Sequence, residues 1–300
     1  MPTVFIDGEA GTTGLKIRER LEGGPFRIRS LPDALRKNPE ARLSLMAGVD
    51  VTILCLPDEA AREAVALAAT LGAGGPRILD ASTAHRTAPG WTYGFAELQP
   101  SQPAAIASSR RVSNPGCYAT AAIALLRPLL DRNLLPRGQA VSINAISGYS
   151  GGGRAMIEAH ERSGGPAFEL YGLGLGHKHV PEIMQHAGLT ARPIFLPSVG
   201  HFRQGMLLSI PLHLDAIDCA PSAGAVEAVL RQHYAGSRYV AVRDLPESGT
   251  LEPQALNDTD VLELFVAGSG PHAVLIARLD NLGKGAAGAA VQNLHLMMGT

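Results

Sequence analysis

Val4-Phe5-Ile6-Asp7-Gly8-Glu9-Ala10-Gly11-Thr12-Thr13-Gly14-Leu15 stands near the head of a 300-residue chain. An apolar run, a glycine-rich turn and a helical stretch from Leu15 to Leu21 follow one another without a spacer. Strand, glycine turn and helix in that order make the first unit of a dinucleotide-binding fold, where backbone at the helix start approaches a pyrophosphate. The spacing is GxxGxxG and not GxGxxG, so the flanking elements carry the assignment as much as the glycines do. Gly8, Gly11, Thr12, Thr13 and Gly14 are the expected cofactor contacts of this turn.

A second strand is expected over Phe26 to Ser30. An NAD site carries an acid at the end of that strand, where it bonds the ribose 2′-hydroxyl. Here the chain reads Arg29-Ser30-Leu31-Pro32, so Arg29 and Ser30 are expected to hold a 2′-phosphate, which points to NADP. Strands over Val49 to Leu56 and Arg77 to Asp80, with a helix over Glu59 to Leu71 between them, continue a β/α alternation. Ser82 lies just past a strand C-terminus, where such sheets place ligands. The adjacent His85-Arg86 reads either as an anion site or as a surface loop.

The chemistry is concentrated in Ser113-Asn114-Pro115-Gly116-Cys117-Tyr118-Ala119-Thr120. Asn-Pro-Gly is turn chemistry, and the apolar run Ala119 to Leu130 after it has the length and Ala/Leu content of a helix. Cys117 is therefore expected at a helix N-terminus, where N–H groups and the helix dipole favour thiolate over thiol. A thiolate so placed attacks a carbonyl carbon, and adjacent N–H groups receive the oxyanion. Cys55, inside an apolar strand, reads as inert core, and Cys219 follows a polar connection with no base nearby in sequence. Three cysteines without a CxxC pair make neither a disulfide framework nor a zinc site, and fit a reducing compartment.

In the second half, the strand pattern Ala140 to Ile146 runs into Ser147-Gly148-Tyr149-Ser150-Gly151-Gly152-Gly153-Arg154. This loop suits a phosphate or carboxylate, or serves as a flexible connection. His177 and His179 in His177-Lys178-His179-Val180-Pro181-Glu182 would point the same way on an extended segment. No third strong ligand stands at helical or hairpin spacing, so no metal is expected, and one of the two is the leading acid/base. His201 is the next candidate. Strands over Gly205 to Leu214, Tyr239 to Arg243, Leu262 to Val266 and Ala273 to Leu279 outnumber helices, which implies a mainly antiparallel sheet domain. Asp280-Asn281-Leu282-Gly283-Lys284-Gly285 then leads into a final helix over Ala286 to Met298, returning to the nucleotide domain.

A net charge of -1 offers no electrostatic footprint for nucleic acid or an anionic membrane. The N-terminus lacks a basic segment followed by a long apolar stretch, and no uncharged apolar run approaches the ~18 residues that span a bilayer. A soluble cytoplasmic protein is expected.

Taken together, the glycine turn, the Asn114-Pro115-Gly116-Cys117-Tyr118 motif, Ser147-Gly148-Tyr149-Ser150-Gly151, His177-Lys178-His179-Val180-Pro181-Glu182 and Asn281-Leu282-Gly283-Lys284-Gly285-Ala286 resemble the N-acetyl-γ-glutamyl-phosphate reductases in their shorter form. The resemblance runs almost the full length of the chain. Aspartate-semialdehyde and glyceraldehyde-phosphate dehydrogenases share the wider superfamily's two-domain plan but not this combination of motifs. It implies an α/β Rossmann-like NADP-binding domain, residues 1–133 with 281–300, and an α+β substrate and oligomerisation domain, residues 134–280. It also implies NADPH-dependent reduction of an acyl phosphate through a Cys117 thioester, with His177 or His179 as acid/base. Asn281, Lys284 and Gly285 join the cofactor residues. Arg86, Asn114, Ser147, Gly148, Arg154 and Glu182 are the substrate candidates, with Asn114 beside the oxyanion. Homodimers or homotetramers formed through the sheet domain are a further implication. Related reductases acting on aspartyl phosphate or an aminoadipate derivative, and a noncatalytic NADP sensor, are the competing readings.

Overall fold

The computed structural model describes residues 1–300, the side chain of Ser163 excepted. In chain order the first elements are β1 (Thr3–Asp7), α1 (Thr12–Leu21), β2 (Arg27–Arg29), α2 (Pro39–Met46), β3 (Val51–Leu54), α3 (Asp58–Ala69), β4 (Arg77–Asp80), β5 (Thr92–Tyr93), α4 (Gln102–Ser108) and β6 (Arg111–Ser113). The strands form one parallel sheet in the order β2-β1-β3-β4-β6-β5. Helices cover both faces, which is why β3 is apolar at nearly every position and buried at all of them. Ile17 and Leu21 of α1 help to build the core on one face, and Leu45 and Met46 of α2 with Ala61 and Ala64 of α3 build the other. The expected nucleotide fold is present.

The chain reverses its direction of travel across the sheet between β1 and β3, the crevice where such sheets bind ligands. Gly8 follows β1 there with φ +89°, and a Cβ on it would lie 2.3 Å from the Cys55 carbonyl oxygen. Only glycine combines that left-handed conformation with so close an approach to the neighbouring strand.

The chain continues through α5 (Cys117–Asp131), β7 (Ser142–Gly148), α6 (Gly153–Ser163), β8 (Phe168–Leu170), α7 (His179–Ala187), β9 (Ile194–Gly200), β10 (Met206–His213), α8 (Ala223–His233), β11 (Val240–Val242), β12 (Leu262–Ser269), β13 (His272–Leu279) and α9 (Gly288–Met298). Its second sheet has seven strands in the order β11-β12-β13-β10-β7-β9-β8 and is mixed. The β11–β12 and β7–β9 pairs are parallel and the rest antiparallel, as the mainly antiparallel expectation requires. Burial alternates along β10 and β13, so one face is packed. That face carries α5, whose run from Tyr118 to Leu126 is wholly buried. Pro128 sits inside α5 and cannot donate to the Ala124 carbonyl. The Tyr234 hydroxyl donates to that oxygen in its place, at 2.9 Å.

Two units result, Met1–Pro115 with Ala286–Thr300, and Gly116–Gly285. The boundaries therefore lie earlier and later than the expected 133/134 and 280/281. The reason is α5, which packs on β10, β13, α7 and α8 of the second unit, so that its first residue opens that unit. Asn281, Lys284 and Gly285 likewise belong to the second unit, and the chain re-enters the first at Ala286. There α9 lays Ala290, Leu294 and Met297 into the core that contains Ile17 and Leu21. Among the described residues no helix is long and apolar enough to cross a membrane.

Gly8→Ala is expected to lower stability by at least about 1–3 kcal/mol, from the unfavourable φ and the displaced Cys55 carbonyl. Gly74→Ala, where a Cβ meets nothing within 4 Å, should stay within about 0.5 kcal/mol of the parent. Denaturant midpoints of the two variants decide it, and equal midpoints contradict the account.

Candidate active site

Cys117 is the first residue of α5, as the turn chemistry requires. Gly116 is the N-cap, in an extended conformation, and no side chain caps the helix. The helical ladder opens with the Thr120 N–H on the Gly116 carbonyl at 2.8 Å, and the Thr120 hydroxyl donates to the same oxygen at 3.0 Å. The Gly116 N–H donates to the Glu182 carboxylate at 2.8 Å. Glu182 is 1% exposed and lies in the first turn of α7, so this bond ties the N-terminus of α5 to α7. Gly285 leans on Cys117 from another side: a Cβ there would stand 2.8 Å from the Cys117 Cβ. The partly buried cysteine is thereby fixed at a helix start, where backbone donors are oriented toward an incoming carbonyl oxygen.

The two histidines converge on Tyr118, the residue after Cys117, though not on an extended segment as their spacing suggested. His179 is the first residue of α7, and His177 lies in the turn before it. The His179 N–H donates to His177 Nδ1 at 3.1 Å, so the His177 ring supplies an acceptor for a helix-start donor. That bond puts the His177 proton on Nε2. Burial, and then the Lys178 charge, lower the His177 pKa to about 4, which keeps the ring neutral. His179 is buried and meets the His177 ring edge-on at 4.8 Å. Both rings contact Tyr118, with centroids 6.0 and 5.8 Å away.

Tyr118 and Tyr171 were not among the expected site residues. The Tyr171 hydroxyl donates to the Tyr118 hydroxyl at 3.3 Å, which donates to the Ser198 carbonyl at 3.2 Å. Burial first, and the nearby Cys117 charge among further causes, push Tyr118 well above the ordinary phenol range and Tyr171 to about 12. Both are neutral donors beside the sulfur. Tyr171 stands six residues before His177 in a Gly/Leu segment without periodicity, so only the folded chain reveals it. Ser147 is buried at the end of β7 and hydrogen-bonds Tyr118. Gly148 follows it, where a Cβ would meet the Arg203 carbonyl oxygen at 2.5 Å.

The second unit accounts for other expected residues differently. Asn281 donates to the Ser150 hydroxyl at 2.9 Å and accepts from the Gly205 N–H at 2.8 Å, so it pins the 147–151 loop. Lys284 is buried, its Nζ 5.1 Å from the Tyr239 ring centroid. Arg154 is exposed in the first turn of α6. His201 faces His160, Nδ1 to Nδ1 at 2.9 Å, with Tyr149 stacked on His160. Among the described residues no group of three or more His, Cys, Asp or Glu side chains could hold a metal ion.

In the first unit the glycine turn leads into α1 with Gly11 as N-cap, no side-chain cap and no acid in the first turn. Gly8, Gly11, Thr12, Thr13 and Gly14, the expected cofactor contacts, lie in this turn and helix start, and a helix start of this kind suits an anion. A cavity of about 190 Å³ beside it is lined by Gly8, Glu9, Leu31, Arg36, Lys37 and Leu56 among others. Ser30 donates to Glu9 at 2.8 Å, and Arg18 reaches Glu9 and Ser30 at 2.8 and 2.9 Å. Arg29 turns away and donates to the Gly48 carbonyl at 3.1 Å. Ser82 donates to Asp80 at 2.8 Å, and His85, stacked on Trp91, holds the same carboxylate at 2.6 Å. Arg86 is buried with its Nε on the Asn114 carbonyl at 2.9 Å, so His85-Arg86 is not a surface loop. The Asn114 amide donates to the Ala286 carbonyl at 3.0 Å and accepts from Asn293 at 3.0 Å. These bonds tie it to the backbone of its own unit.

Residues 117–281 match the family model described as semialdehyde dehydrogenase, dimerisation domain. The chain is 53% identical to N-acetyl-gamma-glutamyl-phosphate reductase 2 of Pseudomonas putida, over 99% of this chain and 97% of that protein. It is 50% identical to N-acetyl-gamma-glutamyl-phosphate reductase of Brucella ovis, over 99% of both. Its fold matches the crystal structure of aspartate semialdehyde dehydrogenase with NADP from Candida albicans at a TM-score of 0.71 and 14% identity, covering 99% of each chain.

The low pKa of His177 has a stability consequence. The ring titrates at its ordinary 6.5 when unfolded and at about 4 when folded. Its neutral form stabilises the fold fully above 6.5, and that contribution is lost as pH falls toward 4. His177→Asn keeps an acceptor for the His179 N–H and removes the titration. The fall in melting temperature between these pH values should be shallower for the variant, and parallel curves would contradict the assignment.

Proposed function

The chain belongs to the N-acetyl-γ-glutamyl-phosphate reductase family, and on that footing we propose how its residues carry out the family's reaction. It reduces N-acetyl-γ-glutamyl phosphate to N-acetylglutamate 5-semialdehyde with release of phosphate, a step of arginine biosynthesis. The single observation that carries the residue assignment is Cys117 at the start of α5, with the histidine pair packed on the next residue, Tyr118.

In this reading the Cys117 sulfur attacks the γ-carbonyl carbon, and His179 takes the thiol proton. The developing oxyanion is received by backbone N–H groups of the first turn of α5. The acyl–phosphate bond breaks, phosphate leaves with a solvent proton, and a thioester remains on Cys117. NADPH, when bound, supplies the hydride that reduces this thioester. The resulting thiohemiacetal collapses to the aldehyde, and His179 returns its proton to the departing sulfur. His177, neutral and protonated on Nε2, orients and donates without exchanging a proton. Glu182 acts through Gly116, holding the turn that aims the sulfur. Ser147, Gly148 and Arg154 serve the substrate's anionic groups; Arg86 and Asn114 support the turn before Cys117. The uncapped start of α1 and the cavity beside it, which Arg36 and Lys37 line together with Asp7 and Glu9, fit the pyrophosphate and adenosine end of NADPH.

The second sheet's other face supports a homodimer or homotetramer. Ala145, Leu207, Ala267 and Ile276 with Phe168 and Leu245 line an apolar cavity of about 630 Å³, and Phe168 is 58% exposed. An apolar face of this kind marks an interaction surface. Three free cysteines fit a cytoplasmic setting.

Cys117→Ser should abolish reduction of the acyl phosphate and leave NADP affinity near the parental value. Turnover within about tenfold of the parent refutes the nucleophile. His179→Asn should slow turnover by about a hundredfold, and His177→Asn should raise the Michaelis constant more than it lowers turnover. A panel of N-acetylglutamyl, aspartyl and aminoadipyl phosphates identifies the substrate by its kcat/KM. For the assembly, Leu207→Asp with Ile276→Asp should convert the oligomer to monomer in sedimentation, and an unchanged mass rejects this face.

A further inference from the structure

We propose that Arg36, with Lys37 beside it, reads the 2′-phosphate of NADPH in place of Arg29; this rests on the NADPH reading above. The glycine turn and the end of β2 set where an adenosine ribose lies. Three arginines and Lys37 stand near that end, and the partners of the arginines differ. Arg29 is the register partner of Phe5, whose side chain packs in the core with Leu45 and Met46 of α2. Its guanidinium is set on the Gly48 carbonyl, so close that a Cβ on Gly48 would lie 2.7 Å from Nη1. Arg18 is committed to Glu9 at 2.8 Å and to Ser30 at 2.9 Å. That pairing also neutralises the acid nearest the ribose, which would otherwise favour a free 2′-hydroxyl.

Arg36 is held differently. It lines the cavity beside the glycine turn together with Lys37. Its Nη2 pairs with Asp33 at 2.7 Å, but Asp33 is 86% exposed, and Glu9 stands off at 3.9 Å. A surface pair of this kind is weak and yields to a dianion that offers a bidentate acceptor. The Arg36 Nε is buried and has no hydrogen-bond partner. A buried N–H without an acceptor is costly, so the guanidinium gains by turning that edge toward a phosphate oxygen in the cavity. Arg36 is the cation with donor capacity left over, on the side where the ligand enters.

Calorimetric titration of the full chain with adenosine 2′,5′-bisphosphate and with AMP separates the possibilities without turnover. The parent should bind the bisphosphate at least about tenfold more tightly than AMP. Arg36→Ala should lose about tenfold or more for the bisphosphate while AMP affinity holds within about twofold, which also shows that the site is folded. Arg36→Lys should recover part of the loss, as a point charge without the fork. If the parent discriminates and Arg36→Ala discriminates equally, or the loss falls on Arg29→Ala, the assignment of Arg36 is overturned and the NADPH reading stands. A parent that binds both nucleotides alike overturns the NADPH reading and this assignment together.

Discussion

The bond from the Gly116 N–H to the Glu182 carboxylate is the constraint on which the arrangement around Cys117 depends. A carboxylate that is 1% exposed is tolerable only where donors meet it, and a buried N–H is tolerable only where it has an acceptor. The two groups satisfy each other, and in doing so they join two helix starts. One presents Cys117 and the other His179, and Tyr118 fills the space between them. Neither helix alone would hold its reactive residue at the needed place. Breaking the bond frees the turn before Cys117 and leaves its buried N–H without an acceptor.

Polar groups elsewhere follow the same rule of mutual satisfaction. Pro128 leaves the Ala124 carbonyl without its helical donor, and Tyr234 supplies one from beyond α8. The Asn281 amide bridges the Ser150 hydroxyl and the Gly205 N–H, and so pins the 147–151 loop. His177 gives up its Nδ1 to a helix start, and this leaves its Nε2 as a donor of fixed sense. In each case a side chain completes backbone that local geometry leaves open.

Much of this was legible in the residues because the signals are local. The glycine turn between β1 and α1, the β/α alternation and the helix beginning at Cys117 all depend on neighbours within a few positions, and they stand as expected. What depends on distant partners was not legible. Arg29 lies at the right place in sequence, yet its register partner Phe5 shares the α2 side of the sheet. The cysteine helix follows the nucleotide strands in sequence but is buried by a sheet formed later in the chain, so the boundary moved to Pro115. The histidine pair was legible by type and spacing, whereas the unlike surroundings of the two rings depend on the fold, one backbone bond fixing His177. Tyr171 carried no signal of its own.

The second unit is inserted between Pro115 and Ala286 of the first. Vectorial synthesis therefore delivers all six strands of the nucleotide sheet long before α9, which packs on α1 and α4. Until then Ile17 and Leu21 lack Ala290 and Leu294 as neighbours, and one apolar side of the sheet stays partly open. On the ribosome the inserted unit can reach its native core first. The unit that begins the chain is the one completed last, and a nascent chain stopped short of Ala286 would display that sticky surface to chaperones.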